Sequence, residues 1–476
     1  MNNNTSVKTT PLYEQVAARI AHLIQQGTLQ SGDRIPSVRQ LCKQLGVSVS
    51  TVLEAYRRLE SEGLVEARPQ SGYYVRSLPQ EPEISDPEPI ATEVGIGYLL
   101  SEILASTRRR GVVPLGVSEV SPELLPTQRL NQVMSKVARH ADISTNSYDF
   151  PPGNEDLRRC IARRSLRWGG SLSADDIVIT CGCMESINLC LRAVTKAGDT
   201  IIVESPAPYG FLEAMESLGI KALELPTSPR EGISIEALQS VIQNQTIKAC
   251  LLMPNFNNPL GSCMPEANKQ RLVEILTKAQ IPLIEDDAMG ELYFSEHRPK
   301  PAKAFDTEGI VLLCSSFSKD LAPGYRVGWV VPGRFQPQVE RLKHLSNVAN
   351  PTLPQLAIAE FLKTSSYDRH LRQLRRTLAA QTQQIIQAVG EYFPSETKVT
   401  RPMGGTVVWV ELPKGVDALE LYQQALLHDI SIVPGHIFST TKQYQNYIRI
   451  NCGYPWSSET EQSIARLGRL AKQQLV

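Results

Sequence analysis

The chain contains no long hydrophobic run, and none of its 476 residues lies in a stretch approaching the ~18 apolar residues of a membrane helix. The N-terminal segment 1–10 is polar and has no apolar core of the kind found in secretory signals. A charge excess is missing too, since 49 Lys and Arg balance 49 Asp and Glu. We therefore expect a soluble, cytoplasmic protein that makes no membrane contact, and any contact with nucleic acid must come from a local surface.

Cysteine pairs with metal-binding or disulfide spacing are also absent. The nine cysteines are scattered, and only Cys181 and Cys183 lie close together, without forming a Cys-x-x-Cys motif. That spacing is poor for zinc and for a disulfide framework, so we predict reduced thiols and no metal site. No internal repeat is visible, and the length predicts two to four domains at about 100–200 residues each.

Residues 11–78 have a pattern of their own that predicts three short helices and a β-hairpin. Apolar residues recur at helical spacing in three consecutive segments. They are Leu12, Val16, Ile20 and Leu23; Val38, Leu41, Cys42 and Leu45; and Val49, Val52, Tyr56 and Leu59. After Gly63 the period shortens, and a turn at residues 69–72 separates two strand-like segments. We predict a winged helix-turn-helix domain, followed by a stiff, solvated linker at residues 79–94 that is rich in proline and acidic residues.

From residue 95 onward, apolar runs alternate with helical patterns, which predicts an α/β body. The predicted strands are 177–180, 200–204, 248–253, 281–285, 310–314 and 327–331. We expect a mostly parallel sheet with covering helices at about residues 115–350. A long helical stretch at 355–389 then leads to a smaller α+β subdomain at about 351–476, with strands at 406–411 and 447–451.

Lys319 lies in a Ser/Gly-rich loop that directly follows the apolar strand 310–314. A lysine forms an imine with an aldehyde cofactor only if its amine is held, desolvated and deprotonated. Hydroxyl groups at Ser316 and Ser318 and the guanidinium of Arg326 suit a dianionic phosphate. This segment resembles the cofactor-lysine motif of fold-type I aminotransferases, which bind pyridoxal 5'-phosphate (PLP). The resemblance implies that Lys319 forms the Schiff base with PLP.

Other polar motifs follow the predicted strands, where ligands bind in open α/β sheets. Each has a plainer alternative on its own: a glycine between strand and helix is often only a turn, a tyrosine can pack in the core, and an Asn-Pro pair can be a turn. Taken together, they occur in the aminotransferase order. The resemblance assigns them to the cofactor as Tyr148, Gly182, Cys183, Met184, Tyr209, Asn258 and Asp286.

The resemblance also implies individual roles. Asp286, rather than Asp287, would face the pyridine nitrogen and keep it protonated, and Asn258 would bond the phenolic oxygen of the cofactor. Arg449 would bind an α-carboxylate, since a guanidinium fork fits a carboxylate bidentately. Tyr148 would reach the cofactor phosphate of a neighbouring subunit, which implies a homodimer. The chain departs from the family pattern at Met289, where a tyrosine is usual.

The N-terminal block resembles the GntR family of winged-helix repressors, with the recognition helix beginning near Ser48. Short hydroxyl residues there would approach bases and phosphates, arginines would bind phosphates, and a small wing tip would enter the minor groove. The predicted DNA-binding residues are Arg34, Arg39, Ser48, Ser50, Thr51, Tyr56, Arg57, Arg58, Arg68, Gln70, Ser71 and Gly72. A winged helix used for protein contacts is the alternative.

The whole chain therefore resembles the MocR subfamily of GntR-type transcriptional regulators, in which a DNA-binding head is joined to an aminotransferase-like body. The resemblance implies a head-to-tail homodimer that binds an operator and senses PLP, an amino-containing effector, or both. An active aminotransferase with an accessory DNA-binding domain is the competing hypothesis, and a PLP-storage or structural protein is a third. Met289, in place of the usual tyrosine, argues against efficient turnover by the enzyme. The motifs still allow half-transamination.

Overall fold

A computed structural model describes residues 11–476 of the chain, with nine single positions excepted. The excepted residues are Gly27, Pro69, Gln70, Ser77, Leu78, Glu83, Arg108, Arg110 and Lys442. Within the described residues no helix is long and apolar enough to cross a membrane.

The N-terminal domain is a winged helix-turn-helix, as the sequence predicted. Its elements are α1 (Leu12–Gln25), α2 (Val38–Leu45), α3 (Val49–Ser61), β1 (Val65–Arg68) and β2 (Gly72–Val75). Ser37 and Ser48 cap α2 and α3 by accepting the backbone N–H groups of Gln40 and Thr51, which satisfies donors that a helix start leaves free. The apolar faces of the helices meet the hairpin in one small core that includes Val52.

The linker does not behave as the sequence predicted. We expected residues 79–94 to be solvated, but Pro82 and Pro87 are buried. The carbonyl of Gln80 accepts the backbone N–H of Val399 at 2.7 Å, and Thr92 exchanges backbone hydrogen bonds with Ala222 at 2.8 and 3.0 Å. The prediction was wrong because proline-rich segments expose unpaired carbonyls, which a neighbouring strand can use.

The body continues with the remaining helices and strands. The helices are α4 (Gly97–Thr107), α5 (Thr127–His140), α6 (Glu155–Ser165), α7 (Cys183–Val194), α8 (Tyr209–Ser217), α9 (Ile235–Asn244), α10 (Glu266–Ala279), α11 (Gln336–Asn347), α12 (Thr352–Leu362), α13 (Ser366–Tyr392), α14 (Ala418–Leu426) and α15 (Ser458–Gln473). The strands are β3 (Val113–Pro114), β4 (Val178–Thr180), β5 (Thr200–Ser205), β6 (Lys221–Ser228), β7 (Gly232–Ile233), β8 (Ala249–Leu252), β9 (Leu283–Asp286), β10 (Val311–Ser316), β11 (Gly328–Val331), β12 (Lys398–Val399), β13 (Val407–Glu411), β14 (Ile430–Ser431), β15 (Val433–Pro434) and β16 (Tyr447–Asn451).

The large sheet has the order β4-β11-β10-β9-β8-β5-β6-β7 over the described residues. The five strands from β10 to β6 run parallel, whereas β11 is antiparallel to both neighbours and β7 is antiparallel to β6. This confirms the predicted mostly parallel sheet. Its central strands are buried on both faces, which explains their continuous apolar runs.

A second sheet, β12-β13-β16-β15, is antiparallel and forms the smaller C-terminal subdomain. Strand β3 pairs with β14, so the segment that follows β3 lies where the two subdomains meet. The sequence predicted one long helical stretch at 355–389, but two helices, α12 and α13, occupy this region with a break at residues 363–365. Strand β6, with a proline inside it, was not anticipated.

Candidate functional site

A cavity of about 430 Å³ opens beside the carboxyl ends of the parallel strands and gathers most of the predicted cofactor residues. It is lined by Gly116, Val117, Ser118, Glu119, Cys183, Met184, Pro208, Tyr209, Gly210, Phe211, Glu213, Met253, Asn258, Asp286, Ala288, Met289, Ser316, Ser318, Lys319 and Arg326. Parallel strands bring the residues at their carboxyl ends to one edge of the sheet, which explains this convergence.

Lys319 projects from the loop after β10, and its Nζ donates a hydrogen bond to the backbone carbonyl of Ser118. Burial lowers the pKa of the Lys319 ammonium below its ordinary value of 10.5, and the nearby Arg449 guanidinium lowers it further. A lowered pKa increases the fraction of free amine, which is the nucleophilic form. The surroundings of Lys319 therefore suit attack on a carbonyl carbon.

Asp286, the last residue of β9, lies across the cavity. Its Oδ1 accepts the thiol of Cys183 at 3.4 Å and the backbone N–H of Ala288 at 2.8 Å. Burial raises the pKa of the Asp286 carboxyl, while these two hydrogen bonds and the Lys319 charge act in the opposite direction. The next residue, Asp287, does not line this cavity.

An anion cradle lies at the start of α7. Gly182 has φ +83°, and a Cβ at this position would lie 2.3 Å from a guanidinium nitrogen of Arg326, so a side chain has no room there. Arg326 donates to the Ser318 hydroxyl and to the Cys181 carbonyl, both at 3.2 Å. Free backbone N–H groups at a helix start, together with a fixed guanidinium, bind phosphate well.

Arg449 on β16 is fully buried and connects the small subdomain to the cavity wall. Its two terminal nitrogens donate to Asn258 Oδ1 at 3.1 Å and to the Gly116 carbonyl at 2.6 Å. Among the residues that the structure describes, its Nε has no hydrogen-bond partner. The guanidinium also lies 5.4 Å from the centre of the Tyr209 ring. A buried guanidinium with an unused donor is suited to an incoming carboxylate.

Tyr148 does not take part in the cavity of its own chain. Its side chain is 72% exposed and contacts Phe150, whose ring in turn approaches His344 of α11. The role that the resemblance gives Tyr148, in a neighbouring subunit, stays a prediction.

One part of the cavity wall was not found from the sequence. The loop 116–119, after β3, supplies the carbonyls that accept Lys319 and Arg449, and the buried Ser118 hydroxyl has no partner within the described part of the chain. The Glu119 carboxylate accepts the Tyr454 hydroxyl at 2.8 Å. This loop has no periodicity, and its single glycine was the only available signal.

Behind the cavity lies a buried ionic network. Glu291 contacts Arg164 at 3.4 Å and Arg298 at 3.3 Å, and Arg298 also pairs with Asp287. Asp320, next to Lys319, accepts the Tyr367 hydroxyl at 2.8 Å. These residues hold the ends of β9 and β10 against α6 and α13, so the positions of Asp286 and Lys319 depend on them.

In the N-terminal domain, Arg34 and Arg39 are exposed, and among the described residues no carboxylate pairs with either. Arg57 and Arg68 are exposed but lie beside Glu54 and Glu66. Arg58 pairs with Glu14 and Glu62, both at 2.8 Å. Arg34 and Arg39 are therefore the freest of the predicted phosphate-binding arginines. The predicted wing residue Gln70 lies outside the described residues.

Tyr56 corrects our prediction. It is fully buried, its hydroxyl donates to the Pro36 carbonyl, and its ring packs edge-on against Tyr73. Tyr56 therefore holds α3 against the hairpin and has no surface for DNA. Its spacing from Val52 and Leu59 already placed it on the core face of α3.

The hydroxyls at the start of the recognition helix are engaged with one another. Ser48 Oγ lies 2.8 Å from both Ser50 Oγ and Thr51 Oγ1. At the wing, the Ser71 hydroxyl lies 2.6 Å from the Tyr74 hydroxyl, and Gly72 lies against the Arg34 side chain. Each of Ser50, Thr51 and Ser71 uses one hydrogen bond of its hydroxyl in these contacts and can still accept another.

Comparison with known proteins gives two domain matches. The family model described as aminotransferase class I and II matches residues 110–467, and that of bacterial regulatory proteins of the gntR family matches residues 12–75. The chain is 42% identical to the uncharacterised helix-turn-helix (HTH)-type transcriptional regulator YdcR of Escherichia coli (strain K12), over 97% of this chain and 99% of that protein. Identity to YjiR of the same strain, also an uncharacterised HTH-type transcriptional regulator, is 38% over 96% of this chain and 98% of that one.

Among solved structures, the chain resembles LysN, the α-aminoadipate aminotransferase of Thermus thermophilus, complexed with N-(5'-phosphopyridoxyl)-L-leucine. The TM-score is 0.73 at 28% identity, and the match covers 79% of this chain and 95% of the LysN chain. The resemblance confirms the fold-type I architecture predicted for the body.

Proposed function

The chain belongs to the MocR-type transcriptional regulators of the GntR family, which carry an aminotransferase class I and II body, and from this premise we propose an effector-dependent mechanism. In this mechanism the winged helix binds an operator, and the body holds PLP and senses an amino-containing effector. The observation that carries the proposal is that one chain combines a winged helix with a cavity lined by Lys319 and Asp286, whose wall residues Asn258 and Gly116 accept hydrogen bonds from the buried Arg449. Operator binding would place the protein in the cytoplasm.

The residues present fit PLP. The cradle at Gly182, which a Cβ would fill, and the Arg326 guanidinium suit its phosphate. The Asp286 carboxylate would hold the pyridine nitrogen in its protonated form, and the buried Ser118 hydroxyl has no partner among the described residues. When bound, PLP supplies an aldehyde carbon that combines reversibly with primary amines.

Residues of the chain would attach the cofactor and bind the effector. Lys319 would hold the cofactor through its amine, and burial lowers the pKa of that amine, which favours its neutral form. Arg449 binds the effector carboxylate and so orients the effector amine toward the same carbon. Because Arg449 belongs to the small subdomain and Lys319 to the large one, an effector that engages both sites stabilises one relative position of the two subdomains.

The linker can transmit this movement to the DNA-binding domain because it contacts both subdomains. Glu81 accepts Arg230 of the large subdomain at 3.0 Å and the backbone N–H of Arg401, next to the small sheet, at 3.2 Å. The Pro79 carbonyl accepts the Arg401 guanidinium at 3.0 Å. A segment that contacts both subdomains must adjust when they move. Exposed ion pairs contribute only about 0–1 kcal/mol, which suits a contact that has to break and re-form.

A head-to-tail homodimer is part of the proposal. Several large apolar side chains near Tyr148 remain exposed, including Ile143 at 86% and Leu345 at 66%. Exposed apolar residues of this size are typical of a surface that a second subunit covers. A dimer would bring Tyr148 to the neighbouring phosphate cradle and supply two DNA-binding heads.

The test is to capture genomic DNA fragments with the pure full-length protein, with and without PLP, and to sequence what is retained. We expect a repeated half-site whose occupancy changes with PLP and with amino compounds. Retention of no preferred sequence under any condition would contradict the regulator mechanism. A Lys319→Ala variant should keep the DNA-binding fold but lose the response to PLP.

An active aminotransferase is the second candidate, because Lys319 and Asp286 line the cavity and Arg449 donates to Asn258 in its wall. Met289 argues against efficient turnover, since it lines the same cavity as Asp286 at the sequence position where the family pattern has a tyrosine. Sustained amino-group transfer between an amino acid and a 2-oxo acid would favour the enzyme. Specific DNA retention without turnover would favour the regulator.

A further inference from the structure

We propose that the effector carries a second cationic group in addition to its amine and carboxylate, as a diamino acid does, and that Glu119 binds this group. The inference rests on the proposed function, because it concerns the effector of the same cavity. It narrows the effector from amino compounds in general to basic ones.

The charges that line the cavity are the first observation. Arg326 is matched by the cofactor phosphate and Asp286 by the protonated ring nitrogen, while the buried Arg449, which contacts the lining residues Asn258 and Gly116, is matched by the effector carboxylate. Two further carboxylates, Glu119 and Glu213, also line the cavity. The Glu119 carboxylate raises the pKa of the Lys319 amine, but no arginine, lysine or histidine of the described chain forms a salt bridge with either carboxylate, so both can accept a further cation.

The position of Glu119 is the second observation. It directly follows Ser118, whose carbonyl accepts the Lys319 amine, and the cavity also exposes its neighbour Val117. Glu119 is therefore next to the reacting amine but outside the phosphate cradle and the Arg449 contacts. An effector held at Lys319 and Arg449 has the rest of its chain within this cavity, where Glu119 lies on the wall.

Tyr454 fixes the carboxylate of Glu119 by donating its hydroxyl at 2.8 Å. One oxygen of Glu119 is thereby engaged, and a carboxylate has further lone pairs to accept an ammonium group. The partly buried position of Glu119 strengthens such a pair relative to one in open water. Glu213, on α8, is exposed at the same cavity and would attract cations toward it.

A rival explanation assigns Glu119 to Lys319 alone, as a counter-ion for the amine when it is displaced. The two explanations differ in what they predict for effectors. A counter-ion for Lys319 treats all α-amino acids alike, whereas a recognition site prefers those with a distal ammonium.

The experiment uses full-length protein loaded with PLP and two probes, L-ornithine and L-norvaline, which differ only by the terminal ammonium. Binding is measured from the absorption of the bound cofactor and by calorimetry. We expect L-ornithine to bind about tenfold tighter or more, as a charge-assisted contact predicts. L-glutamate should bind more weakly than L-norvaline, because its second charge is negative.

Variants then test which residue produces the preference for L-ornithine. Glu119→Gln keeps an acceptor for Tyr454 and should abolish most of the preference for L-ornithine, while Glu123→Gln, four residues on and outside this cavity, should retain it. Arg449→Lys should weaken both probes alike. Equal affinity of the two probes in the wild-type protein, or a preference that survives Glu119→Gln, would overturn the inference.

The same samples separate this inference from the proposed function. Retention of specific operator DNA is measured with and without each probe. A preference for L-ornithine without any specific DNA binding would support the effector class and contradict the regulator. Specific DNA binding that responds equally to L-norvaline and L-ornithine would support the regulator and contradict the effector class.

Discussion

Asp286 and Asp287 are consecutive in the chain, yet their carboxylates face different surroundings. Asp286 lines the cofactor cavity and accepts the Cys183 thiol, whereas Asp287 is buried on the other side and pairs with Arg298 and, at 2.9 Å, with the Asn255 amide. Side chains alternate between the two faces along an extended segment, so only one of the pair can reach a ligand. The geometry thus separates a carboxylate that faces the cavity from one that pairs with Asn255 and Arg298.

That separation predicts different outcomes for two matched variants. Asp286→Asn should weaken PLP binding while the thermal stability of the apoprotein changes little. Asp287→Asn should destabilise the fold by up to ~3 kcal/mol, because it removes one of the two carboxylates, Asp287 and Glu291, that pair with the buried Arg298 charge. Chemical denaturation and PLP titration of both variants measure the two effects, and equal losses of PLP affinity would show that the assignment of Asp286 is wrong.

Lys319→Ala should remove the yellow colour that we expect of the purified protein, because the colour depends on the bond between this amine and PLP. Borohydride reduction followed by peptide mass analysis should find the pyridoxyl group on Lys319. Lys414→Ala, an exposed lysine elsewhere on the body, serves as the control and should remain yellow. An adduct on any other lysine would contradict the site.

The buried carboxyl of Glu204 should make the stability of the fold depend on pH. Burial raises the pKa of its carboxyl from 4.5 to about 8, although the backbone N–H of Met253 donates to it at 2.9 Å. Between these two values the folded state binds a proton that the unfolded state has lost, so stability falls as the pH rises from 4.5 to about 8.

Glu204→Gln removes that titration and should therefore be more stable than the wild type at pH 8, with the difference shrinking toward pH 5. Thermal unfolding across this range measures the effect, with the exposed Glu274→Gln as the control. A difference that stays constant with pH would rule out titration of Glu204 in this window.

The winged helix predicts which arginines bind phosphate. Arg39→Ala should weaken binding to operator and random DNA alike and reduce the salt slope by about 0.9, because one phosphate contact is lost. Arg58→Ala should have a smaller effect, since its guanidinium is engaged by Glu14 and Glu62. Fluorescence anisotropy over a series of salt concentrations measures both, and a larger slope change for Arg58→Ala would reverse the assignment.

A substitution in the linker should separate PLP binding from the effect of PLP on operator affinity. Glu81→Ala removes the contacts with Arg230 and with the Arg401 backbone, so PLP affinity should stay unchanged while the effect of PLP on operator affinity shrinks. Glu88→Ala, an exposed acidic residue of the same linker, is the matched control. Full retention of the PLP effect in Glu81→Ala would exclude this route.

Much of the molecule could be predicted from its sequence because the signals are local. Apolar runs with turn residues between them identified the strands, and the helical spacing in the first 60 or so residues, with a hairpin after it, identified the winged helix. Lys319, Asp286 and Arg449 could be proposed because each follows or lies in a predicted strand, in the order of a known family. Tyr56 shows the limit of motif matching, since its spacing from Val52 and Leu59 indicated the core more directly than the motif indicated DNA.

What only the tertiary structure decided are the contacts between segments far apart in the chain. The loop at Ser118 and Glu119 has no periodicity and reaches Lys319 because β3 pairs with β14, more than 300 residues later. The linker packs against the body because the Val399 N–H and the Arg230 guanidinium donate hydrogen bonds to it. Nothing in the sequence of the linker indicates these two contacts. Composition and spacing determined which elements form, and the packing of those elements determined which side chains meet.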